Sequence, residues 1–317
     1  MKAGVDYTLA PAGVSDGRRA RIILMRKAFR SGRVAAVAVL VAAGLTGGQA
    51  AAQTTAPAAQ SQPPLPLGPS RERGASITPA FEGWYQNADG TYSLLVGYFN
   101  RNKGEALDIP VGPNNRIEPG PIDQGQPTHF ATGRQWGVFV IKVPKDFGKK
   151  TVTWTITANG ETQSIPMGIT NGYTIEPFEE RGMGNKPPEF TFGTTKAFGP
   201  PSAVAASLTG AVNQPVAITF TVTDPKETKK GSTRSSGRGG AGSVANVSFH
   251  KHRGPGTVTF EPARLGTKTQ GESVTTNATF SLPGEYLVRV QGNDESGEGG
   301  GGFQCCWTNT YVKVTVK

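Results

Sequence analysis

From residue 77 onward, apolar residues recur at every second position in short runs, and nowhere is a long 3.6-residue period sustained. Such alternation between clusters of Gly, Pro, Asn and Asp marks half-buried β-strands. Runs at 81–86 and 92–99 flank Asn87-Ala88-Asp89-Gly90, a turn containing Asp-Gly, and predict a hairpin. Further runs at 136–143, 152–158 and 162–168 follow, the last two joined by Asn159-Gly160, a strong two-residue hairpin signal. Between them, 107–130 carries Pro110, Pro113, Pro119, Pro121 and Pro127. That many prolines exclude a helix and a central strand, leaving an ordered excursion or an edge region.

A second series of runs lies at 215–223, 244–252, 256–260, 273–280, 285–291 and 306–316, with a shorter one near 204–208. About seven strands with turns between them predict an immunoglobulin-like sandwich. The expected fold class is all-β, with two tandem β-sandwich domains at 77–178 and 202–317. The polar stretch 179–201, with Pro187-Pro188 and Pro200-Pro201, reads as the linker between them.

The amino terminus has a different texture. Arg26, Lys27, Arg30 and Arg33 precede an apolar run at 34–45, and small residues then end in Ala50-Ala51-Ala52. A basic region, a short apolar region and an A-x-A site predict a secretory signal peptide over 1–52, with Met25 as an alternative start. The apolar run is shorter than the ~20 residues a membrane span needs, so no span is expected in the mature chain. The segment 53–76, rich in Ala, Gln and Pro, reads as a disordered tether because it has little apolar surface to bury.

Removing the signal changes the charge picture. The whole chain carries a formal +10, but residues 1–52 hold eight Lys/Arg against two acids, so about +4 remains. No clustered basic face of the kind nucleic acid requires is present. The basic stretch Lys226 to Arg238 lies among Gly and Ser and reads as a solvated loop.

Two blocks in the second series carry a family resemblance. Gly254-Pro255-Gly256-Thr257-Val258-Thr259-Phe260 is followed by Ala278-Thr279-Phe280-Ser281-Leu282-Pro283-Gly284-Glu285-Tyr286-Leu287-Val288-Arg289-Val290, then by Asn293-Asp294-Glu295-Ser296-Gly297 and the Val-rich 311–316. This succession resembles the PKD-type and related immunoglobulin-like modules of exported bacterial proteins, over roughly 200–317. It departs where such modules carry Trp in the third strand, since Phe249 stands here. The resemblance implies an extracellular spacer or binder and attaches no single activity. The first domain is similar to β-sandwiches of exported bacterial proteins of unknown role.

Candidate chemistry is sparse. Cys305 and Cys306 are adjacent, and three states are open to them: a bond to each other, unbridged thiols, or a bridge to another chain. His250 and His252 lie two apart and so share one strand face, outside the core if Val247 and Phe249 face inward. If that strand and the final one belong to one sheet, His250, His252, Cys305 and Cys306 can be combined into a zinc or copper site. Otherwise the histidines sit on a solvated face beside Lys251 and Arg253. His129 reads as a loop histidine. Gly237-Arg238-Gly239-Gly240-Ala241-Gly242 spells G-x-G-x-x-G without the strand and helix that dinucleotide binding needs. Asp294, Glu295 and Glu298 match no calcium-loop spacing. Trp84, Tyr85 and Trp136 are candidates for stacking on sugar rings.

The expectation is an exported, non-enzymatic envelope protein, periplasmic or extracellular, without a cofactor, that binds or spaces a protein or glycan partner. Two alternatives stand beside it: a glycan-binding module using Trp84, Tyr85 and Trp136, and a metal-binding or redox accessory protein using the cysteines and histidines.

Overall fold

The computed structural model describes residues 70–180, 184–225, 244–294 and 305–317. The expected signal peptide, most of the expected tether, the basic stretch, the glycine motif, Glu295 and Glu298 lie outside them. Within the described residues the protein is all-β, with one short 3-10 turn at Asn171–Tyr173.

The first sandwich contains β1 (Ile77–Gln86), β2 (Tyr92–Asn100), β3 (Leu107–Asp108), β4 (Asn115–Glu118), β5 (His129–Phe130), β6 (Gly133–Val143), β7 (Thr151–Ala158) and β8 (Glu161–Gly168). One sheet runs β1-β2-β6 and the other β4-β7-β8, while β3 and β5 pair as a separate ribbon. At the β7–β8 turn Asn159 and Gly160 adopt φ 50° and 80°, the left-handed pair that a tight two-residue hairpin needs. Leu94, Val96, Phe139, Ile141, Val152 and Trp154 face inward as the core.

Buried amides make the Pro-rich excursion ordered. Trp154 Nε1 donates to Asn115 Oδ1 at 3.0 Å, and Asn115 Nδ2 donates to the carbonyls of Ile109 and Pro127 at 3.0 and 2.7 Å. Gln126, fully buried, donates to the Ile122 carbonyl at 2.7 Å. Asn and Gln side chains thus supply partners that a proline-rich backbone cannot find in a ladder. The excursion's short strand β4 sits at a sheet edge, where proline neighbours are tolerated.

The second sandwich contains β9 (Glu189–Phe192), β10 (Thr195–Phe198), β11 (Val204–Gly210), β12 (Pro215–Thr223), β13 (Ala245–Arg253), β14 (Val258–Glu261), β15 (Arg264–Thr267), β16 (Glu272–Phe280), β17 (Gly284–Asn293) and β18 (Trp307–Val316). Its sheets are ordered β10-β9-β12-β16-β14 and β11-β18-β17-β13-β15. Phe190, Phe220, Phe249, Val288, Val290 and Val312 meet between them. Tyr286, 1 % exposed, donates its hydroxyl to the Leu282 carbonyl at 2.7 Å, a tyrosine-corner arrangement of immunoglobulin-like sandwiches.

Two expected boundaries move. The stretch 179–201 contains β9 and β10, which join the second sandwich through β12. Phe190 and Phe192 alternate inward there, and four-residue strands between proline pairs are too short to stand out. The tether ends before Ser76: the Arg71 amide donates to the Arg101 carbonyl at 3.0 Å, and Asn102 brackets both backbone groups of Ala75.

A candidate functional site at the seam between the sandwiches

Strand alternation assigns Val247, Phe249, Val288, Val290 and Val312 to the core, so the residues between them point outward. In β13, β17 and β18 those outward residues fall into aligned rows. His250 pairs with Arg289 and Arg289 with Tyr311; Ser248 pairs with Gln291 and Gln291 with Asn309; Asn246 pairs with Asn293 and Asn293 with Trp307. As expected of an immunoglobulin-like sheet, β17 lies between β13 and β18. The face is not solvated. Arg289, Gln291, Asn309 and Trp307 are each at most 3 % exposed, because the first sandwich covers them.

The start of β6 makes much of that cover. Tyr311 donates its hydroxyl to the Val138 carbonyl at 2.6 Å, and Asn309 Nδ2 donates to the carbonyls of Trp136 and Gly137 at 3.1 and 3.0 Å. Arg289 donates to Gln291 Oε1, Asn309 Oδ1 and, across the seam, Gln135 Oε1 at 2.9, 3.1 and 2.5 Å. Beneath β6, Glu82 accepts from Arg134 and from the Gly137 amide, each at 2.7 Å. Burial raises the Glu82 carboxyl to about 6, with Arg134 acting against the rise.

The far end of β13 docks on the Pro-rich excursion. Lys251 Nζ donates to Asp108 Oδ1 at 3.0 Å, and His252 Nε2 donates to the Gly125 carbonyl at 3.0 Å. Arg253 grips both oxygens of Asp123 at 2.8 and 2.7 Å. The Thr128 amide returns a bond to the His252 carbonyl at 3.0 Å. Since a carbonyl only accepts, the His252 proton sits on Nε2. Burial pushes its pKa down to about 3, against the pull of the Gly125 bond. Burial, then Arg289 and Arg264, hold His250 well below its usual value. Bonds from Arg253 hold Asp123 low; burial would raise Asp108, but bonds from His129 and Lys251 outweigh it and leave it low.

The metal grouping expected from sequence is not assembled. A register shift between Lys251 and Arg253 separates the roles of the two histidines. His250 meets Ser248 Oγ at 3.0 Å, whereas His252 packs on the Tyr311 ring at 4.8 Å. Tyr311 is level with His250, and Cys306 lies five residues earlier in the chain, about 16 Å away at strand rise. The Cys305 and Cys306 sulfurs lie within bonding reach of each other, and both residues are buried. Among the described residues no three His, Cys, Asp or Glu side chains converge as a metal site. Asp294 is buried and accepts from Asn185 Nδ2 at 2.6 Å.

The aromatic row is not assembled either. Trp84 is level with Leu94 and so with Ile141, five residues from Trp136, and β2 lies between their strands. Tyr85 is buried edge-on against Phe178; Trp84 gives its indole N–H to the Thr170 carbonyl at 2.8 Å; Arg134 covers the Trp136 ring at 3.8 Å.

Glu82, Asp108, Asp123, Gln135, Gly137, Arg289 and Asn309 carry the seam, and no sequence motif marks them as functional residues. The one available signal was the long polar side chains at alternate positions on what would be a central strand. At the open end of the seam, Asp108, His129, Ala131, His250, Lys251 and Phe260 border a cavity of about 280 Å³.

No family model matches the chain, and no curated protein matches it. Among solved structures it is similar to the D00-D0 domain of intimin, at 16 % identity over 76 % of this chain and 100 % of that one, with a TM-score of 0.24. Domains 4 and 5 of the S-layer protein SbsC follow at 12 % identity over 76 % and 98 %, TM-score 0.23. The Yersinia pseudotuberculosis adhesin InvE matches at 11 % over 76 % and 58 %, TM-score 0.23. At such scores the likeness carries no argument about role.

Proposed function

We propose that the chain is an exported, non-enzymatic protein of the bacterial cell envelope whose two sandwiches act as one rigid binding or spacing body. The observation that supports this most is the seam. Two modules on a free linker would leave the outer face of β13, β17 and β18 wet, whereas here its charged and amide groups are buried and paired across the modules. Removing one partner of such a network is costly, so the network favours one relative orientation. A fixed orientation suits a spacer, and it gives a partner a composite surface that neither module has alone. That partner is a protein or glycan of the envelope.

Small-angle scattering and cell fractionation test the reading together. The purified chain should scatter as one rigid particle, and a tagged full-length chain should leave the cytoplasm of a bacterial host. Two independently moving modules would overturn the rigid-body reading. Retention in the cytoplasm would overturn export.

A further inference from the structure

Along most of the seam, groups from the two sandwiches satisfy one another. The cavity at its open end is different. Asp108 Oδ1 accepts from both His129 Nδ1, at 2.9 Å, and Lys251 Nζ, at 3.0 Å, while Oδ2, on a side chain 61 % exposed, is left to water or a ligand. The Lys251 side chain is 5 % exposed and commits one N–H to Asp108, leaving two donors on the cavity wall. Because the carboxylate only accepts, His129 is the donor through Nδ1, and its Nε2 is left to bond a ligand. The lining also has an apolar part, Val258 and Phe260, the Phe260 ring being braced by Phe249 at 5.9 Å between centroids.

These features specify a ligand class. An anion would face the spare oxygen of Asp108, and a cation would face Lys251 with Arg264 and Arg289 nearby. A neutral molecule bearing several hydroxyls meets neither conflict, since each hydroxyl both donates and accepts. The cavity of about 280 Å³ is just below the usual range of ligand sites and has room for one ring at most, not for a dinucleotide. We propose that it is a binding site for a neutral sugar ring. Asp108 Oδ2 accepts from a ring hydroxyl, His129 Nε2 bonds another, Lys251 Nζ donates to one, and Phe260 offers its apolar surface to the ring C–H face. This site shares no residue with the Trp84, Tyr85 and Trp136 group. It rests on the rigid-body reading, because its walls come from both sandwiches.

Saturation-transfer NMR on the purified chain tests it, using methyl glucoside, methyl galactoside, methyl mannoside and N-acetylglucosamine, with glucuronate as the charged comparison. The expected result is transfer to at least one neutral sugar in preference to glucuronate. Affinity should fall at least tenfold in Asp108→Ala and in Ala131→Phe, which fills the cavity without removing a polar group, and should hold in Asp123→Asn. Absence of transfer to every neutral sugar, a preference for glucuronate, or transfer undiminished in Ala131→Phe overturns the site. Should Asp108→Ala fail to fold, Ala131→Phe alone decides. Scattering on the same sample separates the two failures: a rigid particle that binds no sugar sinks this site and leaves the rigid-body reading standing.

Discussion

The indole ring of Trp307 rests against the backbone of Gly137, so that a Cβ on that glycine would overlap the six-membered ring. Gly137 also adopts φ 49°, which disfavours any side chain. Trp307 from β18 and Gly137 from β6 thus define how closely the sandwiches approach. Gly137→Ala should cost about 2–4 kcal/mol, the sum of backbone strain and overpacking against a buried ring. Guanidinium denaturation measures it, and Trp307→Leu in the same background should return part of the loss. A cost below about 1 kcal/mol would mean the two strands do not meet this closely.

Arg289 is 2 % exposed and serves acceptors in both sandwiches. Arg289→Ala strands those acceptors and removes a positive neighbour from Glu82. The expected loss is about 3–5 kcal/mol, the size seen when one partner of a buried charged network is removed. Scattering of the variant should broaden toward two mobile bodies; an unchanged profile with unchanged stability would count against the seam.

Acidification should weaken the protein below the ordinary histidine range. His252 titrates near 6.5 when unfolded and at about 3 when folded, so between those values the unfolded chain binds the extra proton. Its contribution is complete above 6.5 and is lost as the pH falls towards 3. The slope approaches ~1.4 kcal/mol per pH unit for one such group. His250 acts in the same direction. Glu82 opposes them: its folded value is about 6 against 4.5, so its contribution is present below 4.5 and fades as pH rises through 6. Urea midpoints measured from pH 4 to 7.5 should fall on the acid side, less steeply in His252→Gln and more steeply in Glu82→Gln. Parallel curves for wild type and His252→Gln would contradict this account.

The Arg253–Asp123 pair marks the wet rim of the same seam, with the Asp123 side chain 52 % exposed. Asp123→Asn should therefore cost no more than about 1 kcal/mol, and the difference should shrink in high salt. A salt-independent loss of several kcal/mol would place Asp123 in the buried network instead.

Unfolded without reductant, the chain should take up no thiol label; after reduction it should take up two. Because the cysteines are adjacent, their bond closes almost no loop, and reduction should cost less than about 1 kcal/mol. Labelling of the unreduced chain would show free thiols.

The strand pattern was readable because alternation is local: the Asn159-Gly160 hairpin follows from a few consecutive residues. The seam was not, because whether an outward residue meets water or a second domain is a long-range property. Arg289 at an alternate position looks the same in either case. Pairing His250 and His252 failed for a related reason. A register shift at Lys251/Arg253 divides residues two apart, and alternation carries no sign of it. The strands β9 and β10 escaped notice because they are short and lie between proline pairs.

The chemistry of the buried face also bears on the order in which the molecule can be assembled. An interface built from Leu and Val would leave a sticky surface on whichever half formed first. Here the covered rows are Ser248, His250, Arg289, Gln291 and Asn309, with Trp307 and Tyr311 at their edge. Water can satisfy most of those groups until the partner arrives. The carboxy-terminal half is thus free to complete its own core without holding an apolar sheet in water, and the final step becomes the docking of two finished halves rather than a collapse around such a sheet.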